Sequence, residues 1–594
     1  MEITLVILLV AIILFLTEKL SADLVALLVA LSLGISGVLS FEETFAGFSR
    51  PAVITIMAIF ILAEGLRQSG VTAWIGGQLL KVGGKNENTL LIFVMIFSAL
   101  LSLIMNNIAV AAVLLPAVIG AADRAKVSPS RLLIPLAYAT ILGGMATLLT
   151  STNIVASSLL IEEGMQGYSL VDFAPLGLPV AILGSIFIFF VSRKLLKENS
   201  STIPSAPAID LVDTYHLEER LIRVKLPPGS DLEGKHISGS GLREVYCLNL
   251  VAIERKGSII LSPPPDYLIQ PADILLLEGK VHEIEWQQLT EMFEVLPARD
   301  LGEDDLESPD IAVSEVVLSP RSALIGKTLT ETHFREKYGM LVLGIWRSGR
   351  PIRSGLSNEK LIFGDALLIQ GSKKRLKILL SDPDMILLQP KDGMPAVNGK
   401  NRLWAGIIFL SAIILSIIFP DAIAPILLLA GMVMVLTGLL RMEQAYRAIE
   451  WKSIFIIAGM LPMGIAISKT GLAALIADWL MQTGKAAPPY LTLIFLFIIT
   501  VFLSQVVHGA VIAAIMVPIS IKLALSLGLD PRSAVMAIAL ATSMTFITPL
   551  GHPVSILVMA PGGYHFKDYV KVGLPLALFV GSIILILLPL IWPL

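Results

Sequence analysis

The chain has 594 residues, of which 55% are hydrophobic and only 15% are charged, and its mean hydropathy is +0.81. Soluble domains carry about 25% charged residues, so this composition excludes an ordinary soluble protein. The net charge of −3 is too small to indicate nucleic acid as a partner. The single cysteine, Cys247, cannot form an intrachain disulfide.

Two apolar blocks, residues 1–198 and 403–594, flank a charged block at 199–402. A membrane-spanning helix needs about 20 apolar residues, and both apolar blocks contain several such runs. The first run, residues 3–16, lacks a basic leader and a small-residue cleavage site, which favours a transmembrane helix over a signal peptide. Basic residues at both junctions predict that the charged block lies in the cytosol.

Each apolar block divides into the same series of segments. The first predicts helices near 3–17, 22–40 and 51–68, a paired segment at 88–123, an interrupted segment at 130–162 and a last helix near 173–192. The second predicts the same series near 404–419, 422–440, 451–468, 489–526, 531–559 and 571–592. If each paired segment is a re-entrant hairpin, the odd number of crossings inverts the second block relative to the first. Two full crossings in place of each hairpin would instead leave the blocks parallel.

An internal repeat links the two blocks at an offset of 402 positions. Leu101, Ser102, Ala111, Ala112, Pro116, Pro129, Ala137, Ala139, Thr140 and Leu148 recur as Leu503, Ser504, Ala513, Ala514, Pro518, Pro531, Ala539, Ala541, Thr542 and Leu550. A duplicated membrane unit is typical of secondary transporters, which bind their substrate where the two copies meet.

Two adjacent amides, Asn106 and Asn107, followed by Ile108, separate the apolar halves of the first paired segment. Amides inside a membrane segment are costly unless they are paired or line a polar site. At a hairpin tip they would offer carbonyl oxygens to a cation and N–H groups to an anion. The helix after the tip would point its positive end at the same place. The alternative is that the amides only cap the hairpin and hold neighbouring helices together.

A run of small polar residues, Thr150, Ser151, Thr152 and Asn153, lies in the middle of the interrupted segment. It predicts an unwound point, because freed backbone carbonyls are tolerated at membrane depth where they line a cavity or bind an ion. The alternative is a continuous helix in which the hydroxyls bond back to the preceding turn.

The repeat equivalents of these positions combine histidine with helix-breaking residues. They are His508, Gly509 and Ala510 at the second tip and Gly551, His552 and Pro553 at the second break. Proline and glycine predict that the helix is interrupted there too. A lone membrane histidine is often a packed residue bonded to a neighbour, but two of them at the equivalents of polar positions favour a functional role.

The charged block holds a second repeat, at an offset of 92 positions. Leu232, Gly234, Lys235, Arg243, Glu244, Ile253, Arg255, Gly257, Asp273, Leu275 and Gly279 recur as Leu324, Gly326, Lys327, Arg335, Glu336, Ile345, Arg347, Gly349, Asp365, Leu367 and Gly371. Each copy predicts a strand, a Gly-Lys turn, a short helix, a hairpin with Arg-x-Gly at its turn, and a final buried strand after an acidic turn.

This pattern resembles the TrkA-C domain, the C-terminal lobe of the regulator-of-potassium-conductance domain, in two tandem copies at 217–290 and 308–382. The resemblance implies either a scaffold or dimerisation module, or a sensor for a small-molecule ligand. No Gly-x-Gly-x-x-Gly follows a strand, so the nucleotide-binding Rossmann lobe that often precedes TrkA-C domains is absent.

The tips and breaks carry a wider resemblance, to the divalent anion/sodium symporter family of the ion transporter superfamily. That family has Ser-Asn-Thr tips, where this chain has Asn106-Asn107-Ile108 and His508-Gly509-Ala510. It also has Thr-Pro-Pro-Asn-like breaks, where this chain has Thr150-Ser151-Thr152-Asn153 and Gly551-His552-Pro553-Val554. The closing run from Pro561 to Tyr569 resembles the branch of the family with inserted TrkA-C domains.

The resemblance implies a polytopic α-helical membrane protein with inverted repeats, re-entrant hairpins and broken helices, working as an elevator-type transporter, with an inserted α+β cytosolic region. The implied function is sodium-coupled symport of a small divalent anion, either sulfate or a C4-dicarboxylate. Ser102, Asn107 and Ser504 would hold sodium, the coupling ion, and no other cofactor is expected. The anion would contact both tips and both breaks, at Asn106, Asn107, Ile108, Thr150, Ser151, Thr152, Asn153, His508, Gly509, Ala510, Gly551, His552 and Pro553.

The resemblance also implies a homodimer in a bacterial cytoplasmic membrane, with the helices near 3–40 and 404–440 as a fixed scaffold. Gly509 and Ala510 depart from the family because they lack its tip side chains. His508 or His552 would compensate, either by donating to the anion or by carrying a coupled proton near neutral pH.

Two alternatives follow from these departures and from the charged block. One is a proton-coupled anion transporter that uses the two histidines. The other is a potassium channel or cation antiporter regulated by TrkA-C domains, although no Thr-Val-Gly-Tyr-Gly-like filter is present and the tips and breaks contain no Asp or Glu. An enzyme is not expected, because the chain has no Gly-x-Ser-x-Gly elbow, His-Glu-x-x-His or Walker loop.

Overall fold

A computed structural model gives the fold of the chain. It describes residues 1–17, 19–71, 74, 86–196, 221–227, 229–230, 232–242, 249–255, 258–261, 263, 266–278, 293–296, 311–319, 322–347, 350–352, 355–379, 382, 384–388, 399–483 and 488–593. Cys247 and the repeat positions Arg243, Glu244, Gly257, Gly279 and Gly349 lie outside the described residues.

The first membrane half is helical and follows the predicted series. Its helices are α1 (Glu2–Thr17), α2 (Ala22–Ile35), α3 (Phe41–Ser49), α4 (Pro51–Gln68), α5 (Glu87–Ser102), α6 (Asn107–Ala125), α7 (Leu133–Gly144), α8 (Ser151–Glu162) and α9 (Ala174–Leu195). The short helix α3 was not predicted. It begins with a capping box, in which Ser40 Oγ accepts the Glu43 N–H and the Glu43 side chain accepts the Ser40 N–H.

The second membrane half repeats this order. Its helices are α12 (Gly399–Ile418), α13 (Ile423–Leu436), α14 (Met442–Ala448), α15 (Trp451–Lys469), α16 (Leu472–Thr483), α17 (Pro489–Ser504), α18 (Gly509–Leu527), α19 (Pro531–Ser543), α20 (Pro553–Met559) and α21 (Phe566–Ile591). The prediction omitted α14 and α16, because neither is long enough to be recognised as a span.

The two predicted interruptions of each half are confirmed. The first pair of helices, α5 and α6, is separated by a tip at 103–106, and its repeat equivalent, α17 and α18, by a tip at 505–508. The long segment of each half is also broken, between α7 and α8 and again between α19 and α20. The alternative of a continuous helix through residue 150 is therefore wrong.

The halves interlock through exchanged pairs of equivalent helices. Helix α2 packs against α15, and its equivalent α13 packs against α4. Helix α8 packs against α18 and α19, and its equivalent α20 packs against α6 and α7. Neither half is therefore complete without the other.

The last helices of the two halves, α9 and α21, run antiparallel. The rings of Phe187 and Phe579 stack in mid-helix with centroids 4.4 Å apart. Tyr168, just before α9 begins, lies against Trp592, just after α21 ends, with ring centroids 5.8 Å apart. Equivalent helices that run in opposite directions are what two halves of opposite orientation require.

Several helices have the length and composition of membrane spans. Within the described ranges, six qualify: Phe41–Gln68, Ala174–Leu195, Lys400–Ile418, Trp451–Lys469, Gly509–Leu527 and Phe566–Ile591. Large apolar side chains on α1, α12, α13 and α21 are exposed. A contiguous apolar surface of this kind is unfavourable in water and suits contact with lipid.

The charged block folds into two antiparallel sheets with one topology. The strands are β1 (Leu221–Lys225), β2 (Asn249–Arg255), β3 (Ser258–Leu261), β4 (Ile274–Glu278), β5 (Glu294–Val295), β6 (Ile311–Leu318), β7 (Met340–Arg347), β8 (Arg350–Ile352), β9 (Ala366–Ser372) and β10 (Met385–Leu387), with helices α10 (Phe334–Tyr338) and α11 (Lys373–Leu379) in the second copy. The sheet orders, β3-β2-β4-β1-β5 and β8-β7-β9-β6-β10, correspond strand for strand. Both carry a bulge at equivalent positions, Leu250–Ala252 and Val342–Gly344.

One detail of the strand prediction is wrong. The strand after the acidic turn, β4 or β9, is not the last strand of its copy in chain order, and it lies at the centre of its sheet. A short fifth strand follows in each copy, β5 or β10, and pairs with the first strand. Both fifth strands lie beyond the predicted bounds of 217–290 and 308–382.

Each sheet contains a buried ion pair, and the two pairs stand at equivalent positions. Arg255 donates to Asp273, and Arg347 donates to Asp365, in each case with Nε 2.8 Å from Oδ1. Both carboxylates are fully buried, and burial raises the pKa of Asp365 while the hydrogen bonds from Arg347 oppose that rise. A buried carboxylate of this kind needs its partner, because an unpaired charge in a core is strongly destabilising.

The second sheet rests on the membrane helices. Apolar residues on one of its faces, including Val313, Val317 and Leu368, belong to the apolar cluster that extends through the helices. Strand β10 packs against α6. In the turn before β9, a Cβ on Gly364 would lie 2.9 Å from Ile556 Cγ2 and 3.1 Å from the Ile556 carbonyl oxygen, so the turn and α20 are in close contact.

Candidate functional site

The two tips and the two breaks enclose one cavity of about 70 Å³. Its lining consists of Asn106, Asn107, Ile108, Ile141, Gly144, Thr150, Ser151, Thr152, Glu450, Ser453, His508, Gly509, Thr542, Ser543, Thr545, Gly551, His552 and Pro553. The predicted substrate contacts are thus brought together from both halves, except for Asn153 and Ala510, which lie outside the lining.

The adjacent amides of the first tip have different roles. Asn106 caps α6, because its Oδ1 accepts the Ile108 N–H at 2.8 Å. Asn107 instead places its side chain between the halves, where its Oδ1 accepts from Ser102 Oγ at 2.5 Å. The absence of a side chain at Gly144 makes room for this amide, since a Cβ there would lie 2.5 Å from Asn107 Oδ1.

The second tip repeats the cap with a different residue. His508 Nδ1 accepts the Ala510 N–H at 3.4 Å, two residues further along, as Asn106 does in the first copy. Gly509 lets this tip approach both breaks: a Cβ there would lie 2.7 Å from Thr152 Cγ2 and 3.0 Å from the Thr542 carbonyl oxygen. Any larger residue at 509 would push into the cavity wall.

The first break turns hydroxyls towards the cavity and a carboxamide away from it. Thr152 Oγ1 lies 3.1 Å from Ser543 Oγ and 3.4 Å from Thr150 Oγ1, which links α8 to α19 of the other half. Asn153 is fully buried behind them, and its Nδ2 donates to the Thr147 carbonyl oxygen at 2.7 Å. Asn153 therefore fixes the shape of the break without facing the cavity.

The second break presents His552 to the first tip. His552 Nδ1 accepts the Val554 N–H at 3.2 Å and so caps α20. A neutral imidazole that accepts through Nδ1 carries its proton on Nε2. His552 Nε2 lies 3.5 Å from Asn107 Nδ2, so two N–H donors stand side by side on the cavity wall.

The cavity is electrostatically suited to an anion. Four helices of two turns or more, α6, α8, α15 and α18, begin at its lining, and a helix N-terminus carries a partial positive charge. The lining contains no lysine or arginine. Its one carboxylate belongs to Glu450, which occupies the N-cap position of α15. An anion would therefore be held by N–H and O–H groups and not by a paired cationic side chain.

The residues predicted to hold sodium lie just beneath the tips. Ser102 bonds to Asn107, as described above, whereas Ser504 Oγ donates to the Val501 carbonyl oxygen at 2.9 Å. Neither site contains a carboxylate, and the described residues contain no cluster of three or more His, Cys, Asp or Glu that could hold a metal ion. Hydroxyl, amide and carbonyl oxygens are the groups available for a cation there.

Sequence reasoning missed several lining residues. They are Ile141, Gly144, Glu450, Ser453, Thr542, Ser543 and Thr545. Only Thr542 carried a signal, because it is one of the positions identical between the two copies. Glu450 and Ser453 reach the cavity through the exchanged packing of α15, which no local pattern reveals.

A second, larger space of about 370 Å³ lies at the other end of the same helices. Helix α8 runs from the cavity at Ser151 to this space at Glu162, and α15 and α18 run in the same sense. Ion pairs border it, with Arg50 Nε 2.8 Å from Glu162 Oε1 and Lys522 Nζ 3.3 Å from Glu163 Oε2. The cavity and this second space, called the vestibule below, thus lie at opposite ends of the same packed helices.

Two interlocked membrane halves around a shared polar cavity define the class of the protein as a polytopic membrane transporter. The chain belongs to the CitMHS citrate transporter family of the ion transporter superfamily, whose sequence profile matches residues 12–510 and 489–593. The superfamily that the tips and breaks indicate is therefore confirmed, and the narrower resemblance to divalent anion/sodium symporters stays a prediction. The family and its named relatives are transporters and not enzymes.

The chain is similar to several individual proteins. The chain is 33% identical over 601 residues to "Uncharacterized transporter YfbS" of Escherichia coli, covering 98% of each chain. It is 25% identical over 373 residues to "Sodium/sulfate cotransporter 2" of Chlamydomonas reinhardtii, covering 61% of this chain and 42% of that protein. The crystal structure of the Alcanivorax borkumensis YdaH transporter aligns over 98% of each chain, with a TM-score of 0.45 and 14% identity.

Proposed function

We propose that this transporter carries a small divalent anion, with sulfate as the first candidate, in symport with sodium. The observation that carries the proposal is the pair of N–H donors on Asn107 and His552, 3.5 Å apart in a cavity where four helices begin. Donors and helix N-termini without a cationic side chain suit a fully ionised oxyanion, as in other anion sites built on helix ends. Some relatives are named as sodium/sulfate cotransporters.

The size of the cavity favours a compact anion. A water molecule needs about 10–15 Å³ of such space, so a cavity of about 70 Å³ has room for only a few groups of that size. A tetrahedral oxyanion such as sulfate fits this space better than an extended C4-dicarboxylate or citrate. Sulfate therefore ranks ahead of the dicarboxylates, which remain the second candidate substrates.

The histidine caps favour sodium over protons as the coupling ion. His508 and His552 both use Nδ1 to accept a backbone N–H at a helix start. Protonation would place a hydrogen on Nδ1 and leave that backbone N–H facing another donor. A proton carried on either histidine would therefore disrupt a cap, whereas a sodium ion near Asn107 and Ser102 would not.

The arrangement of the halves supports alternating access by an elevator movement. The antiparallel course of α9 and α21 supports inverted repeats, and the cavity and the vestibule lie at opposite ends of α8, α15 and α18. In the proposed mechanism the hairpins and broken helices move together, while α2, α4, α13 and α15 stay fixed. The Arg50–Glu162 pair joins the fixed and moving parts on the vestibule side.

The two sheets of the charged block are proposed to be cytosolic TrkA-C domains that regulate transport. The support is their common topology at an offset of 92 positions, together with the contact of Gly364 with Ile556 on α20. Because α20 carries His552 at its start, this contact joins the sheet to the substrate cavity through one short helix. Assembly into a homodimer through the same domains is part of the proposal.

Uptake by proteoliposomes tests the function. Purified protein is reconstituted, and uptake of labelled sulfate, succinate and citrate is measured with and without an inward sodium gradient and with a proton gradient instead. Sulfate uptake that accumulates only with the sodium gradient is the expected result. Accumulation driven by protons alone, or a potassium flux without anion uptake, would contradict the proposal.

A further inference from the structure

A buried glutamine breaks the symmetry between the two copies. Gln505 follows the last residue of α17 at the second tip, and its repeat equivalent in the first copy is Leu103. The Gln505 side chain is almost completely buried. A polar residue in this position needs partners, whereas leucine does not.

Gln505 finds all its partners in the backbone of the second copy. Its Nε2 donates to the Val501 carbonyl oxygen at 2.7 Å and to the Met544 carbonyl oxygen at 2.8 Å. Its Oε1 accepts the Ile547 N–H at 2.9 Å. The side chain thus ties the end of α17 to the unwound stretch that follows α19.

The two carbonyls that share this amide lie at negative ends of helices. Val501 belongs to the last turn of α17, and Met544 follows the last residue of α19. Helix C-terminal ends carry partial negative charge, and unwound carbonyls together with half-helix C-termini are the groups that coordinate sodium in transporters with broken helices. In the second copy these groups already receive two N–H donors.

In the first copy the residue equivalent to Gln505 supplies no amide donor. Leu103 cannot hydrogen-bond through its side chain, and the oxygens that meet there are Asn107 Oδ1 and Ser102 Oγ. The equivalent of Asn107 in the second copy is Gly509, which contributes no side-chain oxygen. The polar groups available to a cation are therefore unequal between the copies.

We propose that Gln505 is a positioning residue whose amide takes the place of a bound cation in the second copy, so that the coupling cation binds only in the first copy. The inference rests on the proposed cation-coupled function and specifies its stoichiometry. A fixed amide lets the second break keep its shape throughout the cycle, whereas the first break depends on the cation. One sodium carried with a divalent anion also moves net negative charge, so uptake should respond to membrane potential.

The test measures labelled sodium and labelled sulfate together in proteoliposomes of the full chain. The wild-type protein should carry one sodium per sulfate. Gln505→Glu replaces the donor with a carboxylate that faces two carbonyls, so this variant should need a further cation: its sodium-to-sulfate ratio should rise and uptake should depend more steeply on sodium. Leu103→Gln, the reciprocal change, should weaken the sodium dependence of the first copy.

Each outcome decides a different point. A wild-type ratio of two sodium ions per sulfate contradicts this inference and leaves the proposed function intact. A Gln505→Glu variant that transports with an unchanged ratio also contradicts it, since a merely structural glutamine would change stability and not stoichiometry. If Gln505→Glu does not fold, the inference is decided by the sodium-to-sulfate ratio of the wild-type protein and of the Gln505→Ala variant. Sulfate uptake with no sodium dependence contradicts the proposed coupling itself.

Discussion

The amide nitrogen of Asn107 lies 3.5 Å from Nε2 of His552, although the two residues are 445 positions apart in the chain. Each stands at the start of a helix, in opposite halves of the molecule. Since Nδ1 of His552 is used by the cap on α20, both of the facing nitrogens are donors. Two donors placed this close together suit an anionic acceptor that bridges them.

His552→Asn should weaken anion binding without destabilising the protein. Asparagine retains the ability to cap α20 but cannot supply the Nε2 donor. Loss of one hydrogen bond to a charged partner costs about 1.5–3 kcal/mol, so the sulfate KM should rise roughly 10- to 150-fold. His565→Asn, at the exposed start of α21, is the matched control and should leave KM unchanged. An unchanged KM in His552→Asn would remove this histidine from the site.

Asn107→Ala and Thr152→Ala should lower transport while the protein still folds. Both side chains line the cavity, and neither fills a core position whose loss would open a large void. Asn153→Ala is the contrasting variant, because Asn153 is buried outside the cavity and bonds to Thr147. Asn153→Ala should lower the melting temperature and leave KM nearly unchanged. Normal uptake kinetics in both Asn107→Ala and Thr152→Ala would exclude the first half from the binding site.

Much of this fold could be predicted because its pattern is local. Proline, glycine and short polar runs predict the breaks near Thr150 and His552, and the 402-position repeat shows that the two breaks are equivalent. Helices α3 and α14 could not be predicted from apolar length, since they are too short to cross a membrane. The short fifth strand of each sheet was missed because two or three residues carry no readable alternation.

The cavity was predictable only where it depends on chain breaks. Asn107 and His552 can be recognised in the sequence because they are polar residues within apolar segments. Ser453 and Glu450 do not, because they reach the cavity through helix packing between the halves, and Thr545 lies in the second break but outside the residues that the pattern picks out. Asn153 shows the reverse case: its position in a polar run predicts a substrate contact, but it is buried, and only the first three members of the run line the cavity.

Gly509→Ala should block transport through a specific collision. The added Cβ would lie 2.7 Å from Thr152 Cγ2, and overpacking of this kind costs about 1–3 kcal/mol. Thr152→Ser removes that methyl group and keeps the hydroxyl, so the double variant should recover part of the lost uptake. Thr152→Ser alone is the control. Failure of the double variant to exceed Gly509→Ala would show that the collision is not the cause.

Two tyrosines at corresponding places should stabilise the pairing of the halves. Tyr168 donates to the Arg532 carbonyl oxygen, and Tyr564 donates to the Ser130 carbonyl oxygen, each at 2.5 Å. The two acceptors, Ser130 and Arg532, are repeat equivalents of each other. Tyr564 also accepts the Ile134 N–H at 3.0 Å. Tyr168→Phe should cost about 1 kcal/mol, and Tyr564→Phe about 1–3 kcal/mol because it leaves that buried N–H unpaired.

Thermal unfolding in detergent measures both tyrosine effects. The melting temperature should fall in both variants and fall further in Tyr564→Phe. Tyr446→Phe, at an exposed position on α14, should leave it unchanged. Equal melting temperatures for all three variants would mean that these bonds contribute nothing to the joining of the halves.

Gly364→Ala should release α20 from the second sheet and raise the maximal rate of transport. The backbone at 364 has φ +88, in the left-handed region, and the equivalent residue of the first copy, Ala272, places an alanine in this region with φ +63. The added Cβ would lie 2.9 Å from Ile556 Cγ2. A collision that costs about 1–3 kcal/mol would shift the docking equilibrium roughly 5- to 150-fold away from contact.

Ala272→Gly is the matched control for this substitution, because it makes the reverse change at the equivalent turn of the first copy. It should leave the rate unchanged. Ile556→Ala removes the methyl group on the other side of the contact and should also raise the rate, and the double variant with Gly364→Ala should be no faster than either single variant, since both changes release one contact. A lower or unchanged rate in Gly364→Ala, with normal melting behaviour, would show that the sheet does not restrain the helix that carries His552.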